Sequence, residues 1–577
     1  MPRKLRLPIV TAFAFILLLT SCSKTNKQGK FIPKDAVFVM IMNGQSLSSK
    51  LPWDEVKKNE LFQKMYADTT IPPFIKKALN DPDNSGIDVK NDLVFFVQKD
   101  SIGGYIALEG SVKDAEKFKT FNLDAIKGGS ESEKDNIKMI SHSEVCVGWN
   151  KDKFVYIFDA PQMYIPKRRS FMDDDVADER KPRDIGAACK TVFNLSEDNS
   201  LAKDEKFTAL VNKEGDVYFW VNPETLYKEA AGFKALRNFK LDKFYEGNIV
   251  DGTVNFDNGK IKIDYKTYVS KDLKAIFKKY SGGSVDEAML KNIPSKDVAA
   301  VFAIHFHPEA IKDIIALSGM DGLLNIALTE FDISLDDIIK SNKGDVILSV
   351  SDIKTVKDSV VFKGFDGKDN VYNTSKTKAD IIFATAIGDK DAFNKLMKIA
   401  KKLGGDKLTQ DAGANINYNN NDKYFAIGSS KDYVDKYLAG NSNNKFDFLS
   451  YISGNPVGGY VNLQYIMKAM ENEMVADSSS RLMYNASVKM WDNIYIKGGQ
   501  FEDGATSFTI EINLLDKSTN SLKQLNQYFG TLGSIADDKR MARKTNMYNY
   551  DNNVDSTTTT EPKVKLAPPP PQGINDK

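Results

Sequence analysis

Three cysteines and three histidines in 577 residues are too few for a zinc-ribbon or disulfide scaffold. One-sided charge is also lacking. Lys+Arg (79) and Asp+Glu (78) balance to a net +1, which removes the basic excess that a nucleic-acid-binding surface concentrates on one face. No G-x-S-x-G, H-E-x-x-H, P-loop or dinucleotide fingerprint occurs anywhere in the chain. Carboxylates abound, but no pair stands out as a general acid and base. No catalytic residue and no cofactor are therefore expected. After Leu19 no apolar run approaches the ~18 residues of a membrane-spanning helix.

What the chain does have is a 42% hydrophobic share with 34 Phe and 23 Tyr, ample for a buried core. At its N-terminus Arg3, Lys4 and Arg6 precede an apolar run from Leu7 to Leu19. That run is shorter than the ~20 residues needed to cross a bilayer and reads as a secretory signal over residues 1–21. Leu19-Thr20-Ser21-Cys22 resembles the bacterial lipobox, which predicts lipidation of Cys22 and a membrane anchor through acyl chains. Residues 22–31 are then a polar, Lys-rich tether, suited to anionic headgroups. Ser23 after the cysteine, with no acid following, points to the periplasmic face of the outer membrane.

The body reads as an internal duplication. VFVMIMN (37–43) resembles VFAIHFH (301–307). Lys113-Asp114-Ala115 resembles Lys390-Asp391-Ala392, and Asp152–Ile157 resembles Asp422–Ile427. VYFWVN, ending at Asn222, resembles GGYVN, ending at Asn462. The hairpin at Phe256-Asp257-Asn258-Gly259 resembles that at Phe501-Glu502-Asp503-Gly504, and the helix Leu273–Tyr280 resembles Leu522–Phe529. The matches stay in order, with spacings that drift by loop lengths. The expected class is α+β: two related lobes, 32–292 and 293–535, each of antiparallel hairpins with packed helices. Residues 166–184 form a charge-balanced insertion in the first lobe only, expected as a solvated loop. Residues 536–577, rich in Thr and Pro, read as a disordered tail.

Four features carry candidate chemistry. His305 and His307 lie two apart on one strand face and form a weak metal-ligand pair with Glu309 nearby. Because His307 aligns with Asn43, Asn222 and Asn462 at a strand end before a helix, helix capping is the simpler role. Asp81-Pro82-Asp83-Asn84-Ser85-Gly86 partly resembles a calcium loop, yet lacks the closing Glu and reads better as a turn. Cys146 and Cys189 are either a disulfide pair in an oxidising compartment or one buried and one free thiol, the latter preferred. Asp68-Thr69-Thr70, Asp100-Ser101-Ile102, Asp358-Ser359-Val360 and Asp555-Ser556-Thr557 resemble the short O-glycosylation signal of exported Bacteroidetes proteins.

The lipobox, IPKDAVFVMIMNGQSL, DPDNSGIDVKNDLVFFV, GDVYFWVNPETL and KGDVILSVSD together resemble a Bacteroidetes lipoprotein family known as domain of unknown function 4836. The resemblance implies a shared fold and an envelope location, and it transfers no catalytic residue. The expected function is a membrane-anchored envelope protein that binds or scaffolds an envelope protein or glycan without catalysis. The alternatives are a cell-envelope glycan hydrolase and a carrier of an apolar ligand.

Overall fold

The computed structural model describes residues 27–163, 181–224, 240, 242–363, 369–402, 417–440, 442 and 444–554. Cys22, the tether's first residues, most of the 166–184 insertion and residues 555–577 lie outside them. Among the described residues no helix is long and apolar enough to cross a membrane.

Among the described residues eighteen strands form one sheet, and every neighbouring pair is antiparallel. The first half supplies β1 (Phe38–Met42), β2 (Leu93–Asp100), β3 (Gly103–Ser111), β4 (Ser130–Lys134) and β5 (Ile137–His142). It continues with β6 (Val145–Trp149), β7 (Lys153–Asp159), β8 (Val217–Val221), β9 (Ile249–Asp257) and β10 (Lys260–Tyr268). The second half supplies β11 (Val298–His305), β12 (Asn342–Lys363), β13 (Asp369–Ile387) and β14 (Asn417–Asn420). Then come β15 (Tyr424–Gly428), β16 (Val457–Asn462), β17 (Trp491–Glu502) and β18 (Ala505–Leu514). With helices between the hairpins, the class is α+β.

Across the sheet the first half runs β4-β5-β6-β7-β3-β2-β1-β8-β9-β10. The second half runs β14-β15-β13-β12-β11-β16-β17-β18. The two orders coincide strand for strand once the β4–β5 hairpin is set aside. The halves meet at β10–β18, where Asp264 lies opposite Thr509, Ile263 opposite Ile510 and Tyr265 opposite Phe508. Counted from their hairpin turns, Asp264 and Thr509 occupy the same place in β10 and β18. Each half therefore presents the same edge to the other, as in a two-fold interface. Thr509 Oγ1 donates to Asp264 Oδ1 at 2.7 Å across that point.

The closing helices cross over the seam. Lys271–Lys279, which ends the first half, packs on Glu309–Ser318 of the second, with Lys279 2.8 Å from Asp313. Ser521–Val554, which ends the second half, packs on Glu60–Ala67 of the first, tied by Lys523–Glu55 at 2.8 Å. This helix continues to Val554, so the expected tail does not begin at 536. Contacts such as Lys64 with the Ser534 carbonyl and Asp538 hold its middle against the first half.

Strand pairing also corrects the residue-level alignment. The Asn43 N–H bonds the carbonyl of Asp216, just before β8, and the His305 N–H bonds that of Pro456, just before β16. His305, not His307, therefore stands where Asn43 does. The helix caps are Asp114 and Asp389, whose carboxylates accept from Lys117 N and Ala392 N, so that match shifts by two residues. The turn residues Asn150 and Asn421 make the same bonds, which moves β7 against β15 by one residue. A one-residue slip exchanges the two faces of a strand, so this last change decides which side chains are comparable.

One face of the sheet carries the two main cores. In the first half Val39, Ile41, Phe96, Ala107, Ile157 and Trp220 pack beneath Leu201 and Phe207. In the second, Val301, Ala303, Ile347, Ala384 and Ala426 pack beneath Met289, Leu290, Val434 and Tyr437. The other face of the first half is apolar as well: Ile140, Val147, Trp149 and Phe154 form a separate core with Phe118 of the helix Ala115–Ala125. A sheet apolar on both faces needs cover on both.

Candidate functional site

The cover on that second face is incomplete. Between the helices Pro73–Asn80 and Ala115–Ala125 and the strands β3, β6 and β7 lies an open cavity of about 800 Å³. Ile75, Ile87, Leu108, Phe121, Ala125, Ile126, Val145, Tyr156 and Phe158 make its walls, and polar residues (His142, Ser143, Glu144 and Asp159) gather at the β5–β6 turn and the end of β7.

Each wall has a local cause. Along β7 the residues Phe154, Tyr156 and Phe158 alternate onto the outer face, as the period of two demands. Phe158 at the end of the row remains 42% exposed, a large apolar side chain left partly in water. The Asp114 carboxylate accepts from Glu116 N and Lys117 N and starts the helix. One turn in, Phe118 stacks on Phe154 at 5.0 Å between centroids and meets Trp149 at 5.7 Å. Asn122, fully buried, accepts from Tyr156 Oη at 2.6 Å and donates to the Phe118 carbonyl. That bond fixes Tyr156 as a wall, while burial raises its phenol pKa. Phe121 meets Phe74 edge-on at 5.4 Å and joins the two helices.

The calcium-like segment, just ahead of the wall residue Ile87, is a structural turn. Asp81 accepts from Asp83 N, Asp83 pairs with Lys113, and Gly86 adopts φ 74°. A Cβ on Gly86 would fall 2.3 Å from Phe118 N, so only glycine lets the turn approach the helix. The acids point to separate partners and assemble no cation shell.

At the described end of the insertion Lys181, Pro182 and Asp184 are exposed, and Arg183 alone is docked. Arg183 is forked onto Asp100 at 2.7 and 2.9 Å and reaches Asp159 at 2.9 Å. Its side chain is only 7% exposed, and it lies over the Tyr105 ring. Bidentate charge-assisted pairing of this kind is directional enough to order a chain end. Cys146 and Cys189 are both unpaired thiols in this structure, in line with the preferred reading, but Cys189 is fully buried like Cys146 rather than exposed at the insertion's edge.

The histidine pair sits in the second half. His305 Nδ1 lies 3.0 Å from Asp345 Oδ1, which also accepts from Asp286 N, and Tyr424 Oη donates to Asp286 Oδ2 at 2.9 Å. The other ring edge is sealed by Gly283, at φ 80°, where a Cβ would fall 2.2 Å from Nε2. His307 packs against Tyr280 and His305 at 6.3 and 5.5 Å between rings. It caps no helix: Pro308 takes the cap position of Glu309–Ser318 without a side-chain bond. The capping expectation holds at Asn43, Asn222 and Asn462, each accepting a backbone N–H. It fails at His307 because the following proline moves the helix start. Among the described residues no three His, Cys, Asp or Glu are placed to hold a metal ion.

The first half has its own version of this polar row. Asp92 stands where Asp345 does and Lys153 where Tyr424 does. Beside them Glu109, 1% exposed, replaces Ala384. Glu109 has only Lys153, at 3.7 Å, and loss of water pushes its pKa up to about 7, against the pull of that lysine. Burial likewise raises Asp92, which is held by Gln28.

The family described as Domain of unknown function (DUF4836) matches residues 29–402, most of the chain. The chain belongs to this family. The match begins within the 3-10 turn that leads to β1 and ends at the last residue of the helix Lys390–Lys402 in the DUF4836 protein. No curated protein matches it. Two solved structures of TP0453 are similar to it. Crystal form IV has 10% identity and a TM-score of 0.24, covering 41% of this chain and 79% of that chain. Crystal form III has 9% identity and a TM-score of 0.25, covering 44% and 88%. Likeness at that level carries no argument about function.

Of the residues singled out by sequence, the structure brings His305 and His307 together and places His142 on the groove's rim in the other half. The groove itself was missed. Its signal was the alternation Phe154, Tyr156, Phe158 beside an equally apolar inner face, in a strand with no polar side to turn to water.

Proposed function

We propose that this DUF4836 protein is a lipid-anchored, non-catalytic binding protein of the Bacteroidetes cell envelope that holds an apolar ligand in the groove of its first lobe. The observation that carries this is the cavity of about 800 Å³ with apolar walls and polar groups confined to its rim. Ligand sites commonly measure ~300–1,000 Å³ and are built in this way. An acyl chain suits the walls, and its head group would meet the rim. This selects the apolar-ligand alternative from the sequence and keeps the leading expectation of binding without catalysis.

The lipobox supports anchoring by Cys22, and the absence of acids after it supports the periplasmic face of the outer membrane. The coincident strand orders, the shared edge at β10–β18 and the reciprocal closing helices support an origin by duplication of lobes near 32–292 and 293–535. A glycan hydrolase finds no support in Glu109. Its pKa of about 7 would suit a general acid, but its carboxyl is sealed on the core face, away from the groove.

The Cys22→Ser chain, freed of its anchor, should appear in the soluble fraction and bind dansyl-undecanoic acid saturably. Phe158→Glu, a change at a half-exposed wall residue, should weaken that binding by about tenfold or more. Absence of saturable fluorescence enhancement, or equal binding by Phe158→Glu, would overturn the ligand reading. Turnover of envelope glycans, lost on changing one carboxylate, would replace it with the hydrolase.

A further inference from the structure

The two halves tie a helix to the sheet at one shared place, by different chemistry. In the second half Lys431–Ala439 follows β15 after two residues, and Asp435 on it accepts from Asn419 Nδ2 of β14 at 2.8 Å. In the first half the corresponding helix is Ile185–Phe193, and the residue in the place of Asp435 is Cys189. The strand in the place of β14 is β6, where Gly148 replaces Asn419 and Cys146 lies two residues earlier, on the same face.

The fit around the thiols is close. A Cβ on Gly148 would fall 2.6 Å from Cys189 Sγ, so glycine there makes room for the sulfur. Cys189 Sγ lies 3.9 Å from the Val155 carbonyl. The two thiols are close enough to influence each other's ionisation, which lowers Cys146 and raises Cys189. Both are fully buried in the main core. The chain between them contains β7 and the charged insertion, the longest excursion between a strand and its helix in this part of the fold. Nothing in the second half spans such a loop at the corresponding place, because β15 leads directly into its helix.

We infer that Cys146 and Cys189 are a built disulfide site, which closes when the chain folds under oxidising conditions and staples the insertion-bearing loop to the sheet. In the reaction the Cys146–Cys189 S–S bond forms as the two thiols give up two protons and two electrons. A donor disulfide of the low-molecular-weight or thiol-oxidoreductase class takes them up and leaves as two thiols. The crosslink restricts the unfolded chain and stabilises the fold most where the closed loop is long. Buried on all sides, it resists reduction until the first half unfolds. That it forms in the cell rests on the export reading above; that it forms at all rests on the geometry.

The test has two arms, both on the full chain. In the first, reduced and denatured protein is refolded in a mixture of reduced and oxidised glutathione, alkylated with iodoacetamide and mapped by non-reducing peptide mass spectrometry. The expected result is a Cys146–Cys189 peptide, two hydrogens lighter than the sum of its parts, that native-state dithiothreitol leaves intact. Carbamidomethyl groups on both cysteines would overturn the proposal. So would a linked peptide whose removal in Cys146→Ala leaves the urea midpoint under reducing and oxidising conditions equally separated from wild type. In the second arm, protein is alkylated directly in envelopes. The linkage formed in glutathione but absent there would leave the site standing and count against the export reading instead.

Discussion

The same row of positions, at the same end of the sheet, is solved in two ways. In the second half it holds His305, Asp345 and Tyr424, with Asp286 completing the chain, and hydrogen bonds of 2.9–3.0 Å join them in sequence. In the first half it holds Asn43, Asp92 and Lys153, with Glu109 one layer in, and neither carboxylate oxygen of Glu109 has a hydrogen bond. A buried acid without donors takes on its proton instead. The closed network locks the linker at Gly283 over the second half, whereas the open one leaves the first half's stability dependent on pH. The halves also differ on their outer faces. Phe118 meets Phe154, Trp149 and Tyr156 in the first, while Phe393, in the same place, meets Phe425 at 5.6 Å.

The aromatic difference should give the largest effect. Phe118→Ala removes a fully buried ring and should destabilise by about 3–5 kcal/mol, against about 2–3 for the 9%-exposed Phe393→Ala. Urea unfolding followed by tryptophan fluorescence measures both, and equal losses would erase the distinction between the faces. Asp345→Ala comes next. It strands His305 and the Asp286 N–H and should cost about 3 kcal/mol, whereas Asp92→Ala, which removes an acid that burial already disfavours, should cost about 1.

Glu109→Gln should act in the opposite direction. Its folded pKa of about 7 lies above the ordinary 4.5, so the folded chain holds a proton that the unfolded chain releases between those values. Stability from this group is fully present below the unfolded pKa and is lost as pH rises through 7. The glutamine variant should therefore match wild type near pH 4 and exceed it by up to about 3 kcal/mol at pH 8. Parallel pH profiles for the two proteins would show that Glu109 ionises normally. The smallest change is expected from His307→Asn, less than about 0.5 kcal/mol, because Pro308 already sets the helix start. A gain of ~1 kcal/mol would instead make position 307 a cap like Asn43.

Fold class was legible because it depends on local pattern. The short apolar run LVFFV and the Asn258-Gly259 and Asp503-Gly504 turns define hairpins without long-range information. The strand order that the two halves have in common was legible too, since loops change length more readily than strand order. Residue-level correspondence was not. Short apolar strands match equally well at shifts of one or two residues, and only the bonds of Asn43 to Asp216 and His305 to Pro456 choose between them. The tail boundary failed for a related reason: residues after 536 look polar alone, but the helix is held from outside by Glu60–Ala67.

By itself the sequence determined the antiparallel hairpins, the helix starts at Asp114 and Asn462, and the signal and lipobox pattern at the N-terminus. These depend on neighbours a few residues away. The tertiary structure alone decided which side chains share a row, that Phe158 borders an open groove while Phe154 is sealed, and that Cys146 and Cys189 meet. Those facts depend on strands and helices far apart in the chain converging in space, where burial and partner geometry, not residue type, set what each group does.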